Sequence, residues 1–334
     1  MFQTLEADGA NEIWEQAAKW FLPGGIATEQ PSRNGTTTEV LRAALTIRNP
    51  QQRWIASRVP AMSPAFAIAE VIWIVRGRND AEFLNYFNRT LPHYAGDGDT
   101  YHGAYGFRLR QHLGLDQLDR AYRGLAADNA SRQVVLQIWD SPIDMPTEDG
   151  KPVSQDIPCN IVSLLKIRHG QLDWTQVMRS NDLFRGLPHN IVQFTCVQEV
   201  VAGWLGLKPG AYHHFADSLH LYENDGDVRE RIDATSVPRS DDSLALPKVE
   251  SEAAFKRLAD FTDGLIKDST SPDAILTNLD ELGLNSAFTN YASILAAEAL
   301  RRRRADGEMA QVLSRCSNPC LEFMFTRWLA RKRS

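Results

Sequence analysis

Cysteine is scarce in this 334-residue chain, which holds four: Cys159, Cys196, Cys316 and Cys320. They form no disulfide framework and no paired zinc spacing, and no histidine follows His220 to pair with Cys316 and Cys320. No apolar run approaches the roughly 18 residues that a membrane-spanning helix needs. The opening MFQTLEADGANEIW carries no signal-peptide pattern. A basic surplus is missing too: the formal net charge of −6 argues against a general nucleic-acid binder, though not against a small anion held by a local arginine cluster. There is no internal repeat, and the short run Arg301 to Arg304 reads as a solvated helix face. These absences leave a reduced, cytoplasmic enzyme as the simplest setting. What is present is ordinary for a soluble globule, with 43% apolar and 23% charged residues. That is enough chain for one large domain or two modest ones, with a core that needs no staples.

The periodicity predicts helices over 11–22, 64–75, 81–87, 115–127 and 191–205, and strands over 38–47, 134–139, 161–168 and 171–177, the last two joined by a His169-Gly170 turn. Residues 23–34, 92–100 and 145–156 read as loops and 208–210 as a turn. Composition shifts after Asn224, and helices follow over 252–266, 286–304, 308–316 and 321–331, the last two separated by a break at Pro319. The helix over 64–75 is almost wholly apolar, with Glu70 near its centre. A carboxylate there is either paired or functional, because burying it alone is costly.

The chemistry concentrates between Asp156 and Tyr222. Cys159 follows a proline at the mouth of a strand. Alone it would read as a small buried hydrophobe. Arg179 with Ser180 offers a donor fork and a hydroxyl suited to a phosphate, and a nearby arginine raises a thiol's thiolate fraction. Arg33 and Arg132 are further candidate phosphate ligands. Asn190 can donate and accept through one amide, as reading one edge of a pyrimidine requires. His220 and Tyr222, two apart on a strand, point the same way and could hold a sugar hydroxyl.

In order, Arg33, Glu70-x-x-Trp73, Tyr105-Gly106, Ser131-Arg132, Pro158-Cys159, Arg179-Ser180-x-Asp182, Gly186-x-Pro188-x-Asn190 and His220-x-Tyr222 resemble the thymidylate synthase superfamily, which includes the pyrimidine nucleotide hydroxymethylases. The resemblance runs from about Arg33 to about Asn224. It implies an α/β fold with a mixed sheet backed by helices, to which this chain adds a helical C-terminal region. Residues 1–232 would be the catalytic domain and 233–334 a helical extension packed on it. Cys159 would add to C6 of the pyrimidine, and C5 would then attack the one-carbon unit of 5,10-methylenetetrahydrofolate. Arg33, Arg179 and Ser180 would hold the nucleotide phosphate, joined by Arg132 from the other subunit of a homodimer. Asn190 would read the base, and His220 with Tyr222 the ribose. Glu70 would manage protons and an ordered water near the folate, Tyr105 would assist loss of the C5 proton, and Asp182 would contact the pterin, with Gly186 beside the folate. No metal, membrane or nucleic acid is implied.

The departures choose the branch. Asn160 follows the nucleophile where synthases typically have histidine, and is counted with the catalytic residues. The run Met178-Arg179-Ser180-Asn181-Asp182 and the sequence before His220 are similar to the phage-type hydroxymethylases. Counting back from Tyr105, two tryptophans of the synthase loop fall on Leu91 and Tyr94. The apolar tail with which synthases exclude water is replaced by helices running to RWLARKRS. All of this favours C5 hydroxymethylation of a pyrimidine nucleoside 5′-monophosphate. Asn190 points to dUMP, with dCMP or CMP also possible, and Gln133 leaves the phosphate cluster one charge short. The alternatives are a thymidylate synthase and a non-catalytic nucleotide- or RNA-binding relative.

Overall fold

The computed structural model describes residues 1–32, 35–267 and 269–333. Its strands are β1 (Gln3–Ala7), β2 (Thr28–Ser32), β3 (Gly35–Ile47), β4 (Val135–Gln137), β5 (Asn160–Arg168), β6 (Gln171–Met178), β7 (Asn181–Asp182) and β8 (Lys208–Tyr222). They form one mixed sheet in the order β1-β3-β8-β6-β5-β4, with β2 on β3 and β7 on β8. The pairs β1–β3, β6–β8 and β7–β8 are parallel and the others antiparallel.

The first eight helices are α1 (Ala10–Ala18), α2 (Pro64–Val75), α3 (Ala81–Phe87), α4 (Pro92–Ala95), α5 (Tyr105–Phe107), α6 (Gln117–Ala127), α7 (Ser141–Asp144) and α8 (Gly186–Trp204). The C-terminal helices are α9 (Lys248–Ile266), α10 (Pro272–Asp280), α11 (Ser286–Arg302), α12 (Asp306–Leu313) and α13 (Pro319–Arg333). A mixed sheet backed by helices, with helices added at the C-terminal end, is the expected fold. No helix among the described residues is long and apolar enough to cross a membrane.

Helix α2 starts where Ser63 Oγ accepts from Phe66 N–H at 3.2 Å and Pro64 needs no donor. It stops at Arg76, before Gly77 at φ +68°. All its residues but Glu70 are buried, because it is sandwiched: α8 covers β6 and β8, α2 packs on α8, and α11 and α13 pack on α2. Several polar side chains of α8 find partners inside that sandwich, although Gln198 Oε1 and Trp204 Nε1 have none among the described residues. Gln198 Nε2 donates to Leu172 O at 2.8 Å and Gly210 O at 3.1 Å. Glu199 accepts from Gln51 Nε2, Ser243 Oγ and Leu244 N and pairs with Arg53. Arg53 also donates to Cys196 Sγ, which contacts Tyr291 OH of α11 at 3.4 Å. One buried polar cluster thus fastens the C-terminal helices to α8.

Several elements differ from the sequence reading. Residues 28–32 are a strand within the expected loop. They are an exposed edge without an apolar face, so alternation had nothing to show. Residues 208–210 begin β8 instead of a turn. Gly210 is there for space, since a Cβ would lie 2.1 Å from Asp173 Oδ1, which accepts from Ala211 N. Helix α8 starts five residues before the expected 191, which places Asn190 in its first turns. β1, α4 and α10 were not anticipated.

The long pair β3–β8 changes phase in mid-strand. Ala43, Leu45 and Ile47 are buried on one side of the change, and Val40 on the other. On β8 the buried set shifts from Tyr212, His214 and Ala216 to Leu219 and Leu221. Arg42, at φ +58°, and Asp217 make no ladder partnership at the switch. The kink decides which face His220 and Tyr222 occupy.

Removing one partner of the Arg53–Glu199 pair leaves a buried charge uncompensated. Glu199→Ala should lower unfolding free energy by about 3–5 kcal/mol in urea denaturation, with Glu199→Gln retaining part of it.

Candidate active site

Topology collects the chemistry at one end of the sheet. β5 and β6 are antiparallel with Asn160 opposite Met178, so Cys159, just before β5, lies beside Arg179, just after β6. β6, β7 and β8 run in parallel, which brings Asp182 alongside His220 at the same end. A cavity of about 2100 Å³ opens there. Its wall includes Cys159, Arg179, Ser180 and Asp182 from the sheet end and Glu70 from α2. It also includes Tyr105, Gly186, Asn190, His220 and Tyr222.

Arg179 is held against the nucleophile's loop. Its Nε donates to Pro158 O at 2.9 Å and Nη2 to Ile157 O at 3.2 Å, its backbone N–H donates to Cys159 O at 2.9 Å, and its guanidinium lies over Trp139. Burial, with added repulsion from Cys159 and Asp156, pushes the Tyr105 phenol well above its ordinary value, against the pull of Arg179. The phenol keeps its proton. Asp156, whose Oδ2 accepts from Gly103 N at 2.6 Å, is pushed up by burial.

Glu70 is paired: its Oε2 meets His189 Nδ1 at 2.7 Å. Ser180 Oγ and His220 Nδ1 are 3.4 Å apart. Burial lowers His220 from its ordinary value and Asp182 opposes that. The His220 and Tyr222 rings sit edge to face at 5.2 Å. Asp182 Oδ1 accepts from Phe184 N at 2.7 Å and Arg185 N at 2.6 Å. Its Oδ2 is buried with no hydrogen bond among the described residues, 3.6 Å from Arg185 Nη1.

Asn190 is tied into a buried chain of amides. Its Oδ1 accepts from Asn181 Nδ2 at 2.9 Å and its Nδ2 donates to Gln193 Oε1 at 2.9 Å. Asn181 Oδ1 in turn meets His214 Nε2 at 2.8 Å, and His214 Nδ1 meets Tyr212 OH at 3.0 Å. Gly186 has to be glycine for the same reason: a Cβ would stand 2.7 Å from Asn181 Nδ2.

The C-terminal helices form the outer wall. Glu298 of α11, 1% exposed at its side chain, grips Arg301 through two bonds of 2.7 and 2.9 Å and Arg302 at 2.7 Å. Arg301 lies over Trp328 of α13 and Arg302 over Tyr86. Arg304 and Arg331 line the same cavity. So does Arg58, which burial and then the charge of Arg331 pull down to about 10. The run 301–304, expected on a solvated face, is in large part a cavity wall. Leu91 and Tyr94 also stand on the wall, with Arg185 over the Tyr94 ring.

Asn160 does not line the cavity, and Arg132 was expected at the site of a second subunit. Asn160 is fully buried beside the cavity wall and accepts from Gln176 Nε2, while its own Nδ2 has no partner among the described residues. Arg132 is exposed on the loop before β4. Arg33 lies outside the described residues. Sequence reasoning missed Asp156, His189 and the role of Asn181. His189 sits in the quoted run between Pro188 and Asn190, and an acid on an otherwise apolar α2 needs a partner, so the signal was available.

The thymidylate synthase family profile matches residues 16–268, which continues past 232 into α9. Deoxyuridylate hydroxymethyltransferase of Bacillus phage SP01 is 34% identical over 198 residues, 56% of this chain and 51% of the relative. The protein of the same name from Pseudomonas phage M6 is 35% identical over 195 residues, 58% of this chain and 54% of the relative. Thymidylate synthase of Clostridium beijerinckii is 25% identical over 203 residues, 60% and 72% of the two chains. The chain spans about half the length of the two phage relatives it matches.

Burial holds His214 down at about 3. The unfolded chain therefore binds a proton that the folded chain refuses as pH falls from about 6.5 toward 3, and stability is lost in that direction. Between pH 7 and pH 5 this residue alone should account for about 2 kcal/mol. Urea denaturation of the wild type and of His214→Gln at both pH values measures it: the variant should show the shallower pH dependence.

Proposed function

The chain belongs to the thymidylate synthase family, and on that premise we propose that it hydroxymethylates C5 of a pyrimidine nucleoside 5′-monophosphate, dUMP before dCMP or CMP. The observation that carries this reading is the shared cavity of Cys159, Arg179, Asn190 and His220 beneath a polar wall of C-terminal helices. Residues 1–232 are the catalytic domain on this reading, and 233–334 supply that wall.

The Cys159 thiolate, favoured by Arg179 at its loop, adds to C6 of the base, and the electron pair moves to C5. Asn190 holds the O4 and N3 edge, where negative charge gathers. 5,10-Methylenetetrahydrofolate supplies the one-carbon unit, and Asp182, on the cavity wall, contacts its pterin. Tyr105, keeping its proton, orients a water that removes the C5 proton. Glu70 with His189 manages the proton at the leaving amine. Water then adds to the exocyclic carbon, its proton passes to solvent, and the returning electron pair expels Cys159. Arg179 and Ser180 hold the phosphate, joined by Arg33 and by Arg132 of a second subunit in a homodimer.

Two features support hydration over hydride transfer. Leu91 and Tyr94 stand where the resemblance puts indoles, and the outer wall carries Arg301, Arg302, Arg304 and Arg331 in place of an apolar tail. These arginines also suit the carboxylates at the far end of the folate.

Mass spectrometry of products from methylenetetrahydrofolate and equal dUMP, dCMP, UMP and CMP tests the reading. A 5-hydroxymethyl nucleotide with tetrahydrofolate released is expected. A methyl product with dihydrofolate would overturn it in favour of a thymidylate synthase, and nucleotide binding without turnover in favour of a binding protein. Cys159→Ser should lower kcat by at least about 10³-fold. The pair Arg304→Gln and Arg331→Gln should raise the KM for the folate about tenfold and leave that for the nucleotide unchanged.

A further inference from the structure

We propose that Tyr212, His214 and Asn181 form a positioning relay that fixes the amide of Asn190 in one orientation and so makes the site selective for one pyrimidine base. The choice of uracil as that base rests on the reading above; the relay itself does not.

An asparagine facing a pyrimidine is ambiguous. Uracil presents N3–H and O4, so it needs the amide oxygen opposite N3 and the amide nitrogen opposite O4. Cytosine presents a bare N3 and an amine, and needs the same amide turned over. A freely rotating Asn190 would serve both. Here it is not free, because both of its ends are already engaged.

The direction of the chain follows from its closed end. Tyr212 is fully buried, and its hydroxyl has one hydrogen-bond partner among the described residues, His214 Nδ1. A buried phenol with a single partner satisfies its proton only by donating it there. His214 is neutral, since burial disfavours its cation, so its one remaining N–H is on Nε2. That N–H donates to Asn181 Oδ1. Asn181 must then present Nδ2 to Asn190 Oδ1, and Asn190 must present Nδ2 to Gln193 Oε1. Turning over either asparagine would set donor against donor or acceptor against acceptor. Asn181 cannot swing aside to escape, because it is 2% exposed and its Nδ2 fills the space above Gly186. Asn190 therefore reaches the cavity with one amide hydrogen and one lone pair left, each in a place determined at Tyr212.

The test compares the Kd of dUMP with that of dCMP by calorimetry for the wild type, Tyr212→Phe and Asn181→Ala, with thermal unfolding of each. ¹⁵N NMR of the wild type reports the His214 tautomer. The wild type should prefer one base by about 10–100-fold, the penalty of leaving a buried pair unmatched. Removing the phenol proton, or the amide that transmits its direction, should bring that ratio to within about threefold of unity. A purely structural role would lower the melting temperature or weaken both nucleotides together, and an unchanged ratio of that kind overturns the relay. So does a His214 ring protonated on Nδ1, whatever the variants do. A wild type that prefers dCMP, with the preference lost in Tyr212→Phe, would sink the choice of uracil and sustain the relay.

Discussion

A buried amide or imidazole has no water to fall back on, and the sheet end of this protein depends on that constraint. Beneath α8 the packing is polar as well as apolar: Ser163 Oγ and Trp174 Nε1 both donate to Gln176 Oε1, and Gln176 Nε2 reaches Asn160. Beside them His214 of β8, Asn181 of β7 and Asn190 of α8 form a second chain. Each group holds its neighbour, because a wrong rotamer at one position leaves a donor or acceptor unmatched at the next. This gives the cavity floor a definition that methyl packing alone would not. It also explains Gly186 and Gly210, which stand where a Cβ would meet Asn181 Nδ2 or Asp173 Oδ1.

The same constraint separates what the sequence disclosed from what it did not. The apolar run of α2 and the alternation in β5 and β6 are local patterns, so those elements were legible. The candidate site was legible where residue order mattered: Cys159, Arg179, Asp182, Asn190 and His220 come together because strand pairing brings their loops to one end. What stayed hidden depends on contacts between distant segments. Asn181 looks like an ordinary turn residue until His214, 33 positions away, is placed against it. The phase change of β3 and β8 needs two strands to kink together, and neither strand shows it alone. β2 was invisible for the opposite reason: an exposed edge strand has no buried face to betray it.

The C-terminal helices show how a charged run can mislead. Arg301 to Arg304 in isolation resembles a solvated face, the commonest fate of such runs. Glu298 alters that, because a carboxylate 1% exposed at the end of an otherwise apolar helix face needs partners, and takes Arg301 and Arg302. Three charged groups held this way leave one net positive charge. Arg304 and Arg331 bring more to the same cavity, where burial first, and neighbouring guanidinium charge second, lower Arg58 and Arg331.

That crowding bears on the chemistry. A wall of guanidinium groups retains water far better than an aliphatic tail does, and it also attracts anions into the cavity. Whether an exocyclic methylene group is reduced or hydrated depends on which nucleophile reaches it first, and a hydrated wall shifts that competition toward water. Trp328, the aromatic ring that α13 brings to the outer wall, is covered by Arg301. That face stacks with a cation and does not seal the pocket. On the proposed reaction, the outcome would depend less on the thiol, which addition at C6 requires whatever the product, than on how wet the opposite wall remains.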